Sequence, residues 1–297
     1  MIAGYDVSQH QGLVDHAAFA LARHRFCIVK ASEGTGYVDL AHTRNVAAAL
    51  DAGLLVGHYH FARVSRSPTL EADAEAEART HIAEVGPLGP GELTCVLDLE
   101  WDRRVAPGIG AADLVAWATR WLEVVEAETG RCPWVYTGPS FWRYKLGRSL
   151  ALARWPLWCA DYRSSSVRRA APKPIPGWPA LCWQWTGAGA RPDGRRGTVD
   201  LNWWLDDEVT LRRIPTSPAV SRRLLREAGE VEDPEPGDAE AIAEGMRDVA
   251  AGKALTTDEL LASLDAGGAP GLFQPPWAAA IIAVMSRRTS PRTGGPP

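Results

Sequence analysis

The chain has 297 residues, 46% of them apolar and 23% charged, a balance that excludes a disordered polymer and suits one large α/β domain with an appendage. The formal charge of −4 falls on residues 219–297, while residues 1–218 balance. No block of Lys and Arg is available to neutralise phosphates, so nucleic acid is not an expected partner.

Residues 2–6 read as a first strand, a helical pattern follows through Val14, Phe19 and Leu21, and residues 26–30 form a second strand. A helix fits residues 40–50 with Gly53 as its stop signal, then a strand at 54–61 and an acidic, Ala-rich helix at 68–85. The fourth strand ends in Val96-Leu-Asp-Leu-Glu100. Residues 112–128 are amphipathic, with Leu114, Val115, Ala118, Trp121, Leu122 and Val125 on one face. A strand at 133–137, a short helix at 140–146 and a sixth strand at 156–161 follow. Four prolines within residues 170–180 rule out a further crossover helix. The last strands, 181–185 and 199–203, are joined by a Gly- and Arg-rich stretch that reads as a hairpin.

The fold class is therefore α/β: an irregular (β/α) barrel of eight strands and about five helices, whose last strands lack crossover helices, with a small helical C-terminal segment. The expected organisation is a barrel over residues 1–215, an acidic hinge and helical segment over 216–285, and a disordered tail over 286–297. The five cysteines, Cys27, Cys95, Cys132, Cys159 and Cys182, form no Cys-x-x-Cys pair and read as buried free thiols of a protein made in a reducing cytoplasm. The N-terminus has neither the basic nor the apolar region of a secretory signal. The apolar run from Trp277 to Met285 is too short to span a bilayer, so no membrane association is expected.

Functional side chains of such a barrel come from the C-terminal ends of its strands. By that rule Asp6, Asp98, Glu100 and Asp200 meet at one mouth. Asp98 and Glu100, two apart on a strand, share one face. An acid pair in an apolar strand costs stability unless it has a use. A glycosidase, a carboxylate site for a hard cation such as Mg²⁺ and a buried pair remain open on these residues alone. Asp102, Asp206 and Asp207 read as solvated charges or caps. All 13 tryptophans lie after residue 100. Trp134, Trp158, Trp183, Trp185, Trp203 and Trp204 sit in or beside strands, with Tyr59, Tyr136 and Tyr162 near strand ends, where flat rings with polar handles suit sugars. Trp117 and Trp121 read as core. His58 and His60 share a face but lack a third ligand, so a structural or substrate-contact role fits better than zinc. Ser8 and Ser32 lack a nucleophile-elbow context, and Glu33-Gly-Thr-Gly is not a phosphate-cradling loop. No cofactor and no metal are expected.

The chain resembles the family 25 glycoside hydrolases, the Chalaropsis-type lysozymes, over about its first 205 residues. The matching segments are Gly4-Tyr-Asp-Val-Ser-Gln-His-Gln-Gly12, Phe26-Cys-Ile-Val-Lys-Ala-Ser-Glu-Gly34, Gly57-His-Tyr-His-Phe61, Val96-Leu-Asp-Leu-Glu100, Trp134-Val-Tyr-Thr137, Leu157-Trp-Cys-Ala-Asp-Tyr162, Trp183-Gln-Trp185 and Gly197-Thr-Val-Asp-Leu-Asn202. The resemblance implies hydrolysis of the β-1,4 bond between N-acetylmuramic acid and N-acetylglucosamine in bacterial peptidoglycan. It makes Glu100 the general acid and Asp98 the group that orients or stabilises the reacting acetamide. Asp6 and Asp200 complete the acidic cluster and help keep Glu100 protonated. The matched segments add Gln184, Trp185 and Glu33 to Tyr59, Tyr136 and Tyr162 as substrate-facing candidates. Two acids on one strand face favour retention through the substrate's acetamido group over a carboxylate nucleophile.

Arg191, Arg195 and Arg196 either face cell-wall carboxylates or are solvated loop charges. Residues 216–297 match no recognised wall-binding module, which leaves docking to a particle or self-association as their role. The combination suggests a phage endolysin or tail-associated lysozyme, made in the cytoplasm and released by lysis or carried in a phage-like particle. A non-catalytic wall-binding protein on the same fold is the alternative.

Overall fold

A computed structural model describes residues 1–100, 108–162, 172, 175–207 and 211. The expected boundary at 215, the segment 216–285 and the tail 286–297 lie outside the described residues.

The elements in chain order are β1 (Ile2–Val7), a 3-10 turn (Gln9–Gln11), α1 (His16–Leu21), β2 (Phe26–Glu33), β3 (Tyr37–Val38), α2 (His42–Asp51), β4 (Leu55–Phe61) and α3 (Leu70–Val85). They continue with β5 (Glu92–Asp98), α4 (Ala111–Thr129), β6 (Trp134–Thr137), α5 (Pro139–Tyr144), β7 (Leu157–Ala160), β8 (Ala180–Gly189) and β9 (Val199–Trp204). The strands pair in the order β1-β9-β8-β7-β6-β5-β4-β2, and a β1–β2 pairing closes the ring. This is the expected eight-strand barrel. The two-residue β3 pairs with the end of β2 outside the ring.

Seven of the barrel strands run parallel to one another. β9 is antiparallel to both β8 and β1, so the connection after β8 is the expected hairpin. The N-terminal end of β9 therefore lies at the rim formed by the C-terminal ends of the other strands.

Alternation along each strand separates the two cores. Inside the barrel Phe26, Ile28, Val96, Trp134, Cys182 and Trp204 pack together. Outside it, Cys95, Leu97 and Val135 pack against Trp117, Trp121 and Leu122 of α4, while Tyr5, Val29 and Val56 pack with Phe19 of α1. Each fully buried side chain of this size contributes roughly 2–3 kcal/mol. Gly4 is fixed by the inner core: a Cβ there would lie 2.2 Å from the Phe26 ring. Turn signals act as expected, with Gly53 (φ +76°) after α2 and Gly130 (φ +67°) after α4 both in the left-handed region. All five cysteines are free and buried.

His58 and His60 point outward from the barrel, under α2 and α3. His58 Nδ1 lies 3.0 Å from His42 Nε2. His60 bonds Ser32 Oγ at 2.9 Å and Glu77 Oε2 at 2.7 Å and stacks on Trp121. The role of both is structural.

Candidate active site

The strand alternation that builds the inner core also builds the site. Two residues beyond an inward-facing core position, at the rim, stand Asp6 (after Gly4), Lys30 (after Ile28), Tyr59 (after Gly57), Asp98 (after Val96), Tyr136 (after Trp134) and Gln184 (after Cys182). With Glu100, Asp200, Glu33, Arg63, Tyr162, Trp158, Phe61 and His10 they line a cleft of about 330 Å³. All four expected acids meet there. β5 ends at Asp98, however, so Glu100 stands beyond the strand. The last pairing of this segment is Leu99 N–H to the Tyr136 carbonyl at 3.0 Å.

Asp6 lies directly opposite Asp200 across the β1–β9 ladder. Its Oδ2 accepts Gln184 Nε2 and Asn202 Nδ2, each at 2.8 Å. Burial and the Asp200 charge push the Asp6 carboxyl well above the usual range, against the pull of these two donors. Burial raises Asp200 to about 6. Glu100 is raised by burial and by Asp200, and Lys30 and Arg63 oppose this. Asp98 is raised well above its usual value by burial and then by Glu100. Its Oδ1 is buried with no hydrogen-bond partner among the described residues.

The cations stand on β2 and just after β4, between the strand that carries Asp6 and the strand that carries Asp98. Lys30 Nζ is 2.7 Å from Glu33 Oε2 and within 5.1–5.9 Å of the ring centres of Phe61, Tyr59 and Tyr37. Arg63 Nε donates to Glu33 Oε1 at 2.8 Å. Burial alone would raise Glu33, but the bonds from Lys30 and Arg63 outweigh it and hold the carboxyl low. Glu33 thus lines the cleft as the anion that fixes two cations.

The other candidates divide. Tyr59, Tyr136, Tyr162 and Gln184 line the cleft, whereas Trp185, at the register break between Gln184 and Thr186, is not among its lining residues. Trp158 lines it and donates Nε1–H to Asn202 Oδ1 at 2.8 Å. Trp134 and Trp204 stack on each other in the barrel core below, and Trp183 is buried with its Nε1–H on the Asp161 carbonyl. Arg191 is engaged within the protein, bonding the Gln11 and Leu13 carbonyls and Asp193. Lys30, Arg63, His10 and Asn202 are site residues that sequence reasoning did not single out. Lys30 and Asn202 carried a usable signal, each lying on the strand parity of an inward residue. Arg63 lies after β4 and His10 in the 3-10 turn, outside any strand parity, and they carried none. Among the described residues no three His, Cys, Asp or Glu side chains are grouped to hold an ion.

A closed barrel whose rim gathers four carboxylates, raised by burial and by one another and walled by tyrosines, defines a glycoside hydrolase. The comparisons with known proteins agree. Residues 5–193 match the family model Glycosyl hydrolases family 25, and the chain belongs to that family. It is similar to N,O-diacetylmuramidase of Chalaropsis sp, 34% identical over 193 residues that span 62% of this chain and 87% of the relative. It is also similar to Lysozyme M1 of Streptomyces globisporus, 31% identical over 205 residues, 68% of this chain and 67% of the relative. The crystal structure of the bacterial lysozyme from Streptomyces coelicolor superposes with a TM-score of 0.64 at 28% identity, covering 72% of this chain and 96% of that one.

Proposed function

We propose that this protein is a muramidase: it hydrolyses the β-1,4 bond between N-acetylmuramic acid and N-acetylglucosamine in peptidoglycan, with retention through the substrate's own acetamido group. The names of the diacetylmuramidase and lysozyme relatives support the substrate. The mechanism rests on one observation: a Glu100 whose proton affinity is raised stands in the same cleft as a buried Asp98 oxygen that has no partner among the described residues.

Glu100 donates its proton to the leaving glycosidic oxygen as the anomeric C–O bond breaks. Asp98 Oδ1 accepts the acetamide N–H, which orients the acetamide carbonyl oxygen toward the anomeric carbon as the cyclic intermediate forms. Glu100, now a carboxylate, takes a proton from the water that adds to the anomeric carbon and reopens the ring. A nucleophilic mechanism instead places two carboxyls across the bond, about 5–5.5 Å apart. Asp98 ends β5 and Glu100 follows two residues on, beyond the strand, so both enter the cleft from one chain segment. The five buried free thiols support synthesis in a reducing compartment before the enzyme reaches the wall.

The test is digestion of purified wall, with mass spectrometry of the fragments and NMR of the first-formed anomer, and Glu100→Gln as control. Muramic acid at the new reducing end in the β configuration is expected. N-acetylglucosamine at that end would overturn the bond assignment. An α product, or a glycosyl adduct trapped on Asp98, would overturn the acetamido route. Wall binding without cleavage by the wild type would favour the non-catalytic alternative.

A further inference from the structure

Two amides support the acidic pair, and their orientations are set by their neighbours. Asn202 accepts the Trp158 Nε1–H on Oδ1, and an indole only donates, so its Nδ2 faces Asp6. Gln184 accepts the Tyr136 hydroxyl on Oε1 at 2.7 Å and the Tyr162 hydroxyl on the same atom. Its Nε2 then faces Asp6 Oδ2 at 2.8 Å and Asp200 Oδ2 at 3.5 Å. Both lone pairs and both protons of this amide are therefore used within the protein, and the residue is 2% exposed. It lines the cleft with no hydrogen-bonding capacity left for a sugar.

We propose that Gln184 is a positioning residue, which ties Tyr136 and Tyr162 of the cleft wall to Asp6 and Asp200 and so fixes where the charge of that pair stands relative to Glu100. This rests on the acid–base role of Glu100 given above. Among the described residues the groups that face Glu100 are Asp200 from β9, Asp98 from β5, Asp6 from β1, Lys30 from β2 and Arg63 after β4, with Tyr136 and Tyr162 beside them. Removing the amide takes a donor from both aspartates. Their anionic form is then less favoured and the pair takes up a proton. Less negative charge faces Glu100, which releases its proton at lower pH. Lys30 and Arg63, which act in the same direction, are untouched by the substitution.

The experiment compares the full-length wild type with Gln184→Met, which keeps the length of the side chain but has no amide. Carboxyl ¹³C NMR follows the titration of Glu100 in both. Glu100 is expected to titrate about 0.5 pH or more lower in the variant. On wall substrate the basic limb of kcat should move the same way, with kcat down by about tenfold and KM within about twofold. An unmoved Glu100 titration overturns the proposal. A KM raised by about tenfold with an unmoved limb also overturns it and makes Gln184 a substrate contact. If near-ultraviolet circular dichroism shows Gln184→Met unfolded, Tyr136→Phe decides. It removes one hydroxyl from Oε1, and a smaller displacement in the same direction supports the proposal while none overturns it. An inactive wild type would refute the muramidase reading, yet the NMR titration would still decide this one.

Discussion

Replacing Arg191 with Met tests whether the cation of the β8–β9 hairpin serves the fold or the substrate. Its guanidinium is 3% exposed and paired with a fully buried Asp193 side chain. It donates to Asp193 Oδ1 at 3.0 Å and Oδ2 at 2.7 Å, to the Gln11 carbonyl at 2.8 Å and to the Leu13 carbonyl at 2.7 Å. The hairpin that leads into Asp200 is thereby fastened to the loop that follows Asp6 and carries His10. Arg191 is the main reason the Asp193 carboxyl lies at about 2 rather than the usual 3.8. That gap corresponds to roughly 2.5 kcal/mol, which solvent near a surface loop trims to about 1–2 kcal/mol. Losing the bonds to two carbonyls adds about 1 kcal/mol. Urea unfolding should therefore show a loss of about 2–3 kcal/mol, or roughly 5–10 °C in Tm. Because Asp193 is depressed in the folded state, its contribution is full above 3.8 and is lost as pH falls through about 2. The difference between wild type and variant should shrink across that window. A loss under about 0.5 kcal/mol, unchanged with pH and joined to a raised KM, would refute the structural role and return Arg191 to the substrate.

Glu100→Gln should lower kcat about 10²–10⁴-fold while a pull-down on wall fragments shows binding retained. Asp200→Asn removes the largest charge that raises Glu100, so the basic limb of the kcat profile should move to lower pH. Glu77→Leu leaves His60 Nε2 and the Arg63 N–H, bonded to Glu77 Oε2 at 2.7 and 3.1 Å, without their acceptor in the interior. Chemical denaturation should show a loss of about 2–4 kcal/mol. Treatment with a chelator followed by dialysis should leave wall lysis unchanged, since proton transfer by Glu100 needs no ion.

Period-2 alternation made most of the barrel and three of its acids legible, because a strand buried on both faces still has to choose which face each residue takes. Asp98 follows Val96 and Asp6 follows Gly4 on the inward side, and the sequence shows both. Glu100 was placed on the same strand, but pairing ends at Leu99 and the residue reaches the cleft from beyond β5. β3 is two residues long, too short to show a period. Interactions between distant parts of the chain had no local trace. Gln184 reaches Asp6 across 178 positions and Arg191 reaches Gln11 across 180. Nothing near residue 184 or 191 states what its hydrogen bonds will meet, so a saturated amide read as a sugar contact and a buried cation as either a wall contact or a loop charge. Trp185 sits at the register break between Gln184 and Thr186, where alternation does not fix the face a residue takes, and it is absent from the cleft lining.

The reversal of β9 is what makes the acidic cluster possible. Asp200 is the second residue of its strand, and in an all-parallel barrel it would lie at the opposite end from Asp6. The hairpin turns β9 over, so its start meets the end of β1 and the two aspartates become direct cross-strand partners. Like charges in that relation destabilise a sheet, and burial adds to the cost. The fold offsets part of it with Gln184 and Asn202, which give Asp6 two N–H donors whose direction Tyr136, Tyr162 and Trp158 set. What remains is a local negative field at the rim. Asp200 is the stronger source of that field for Glu100, and a general acid needs such a field to keep its proton until the glycosidic oxygen takes it. The strain of the β1–β9 pair and the proton on Glu100 thus have one electrostatic cause, so a substitution that relaxes the first should weaken the second.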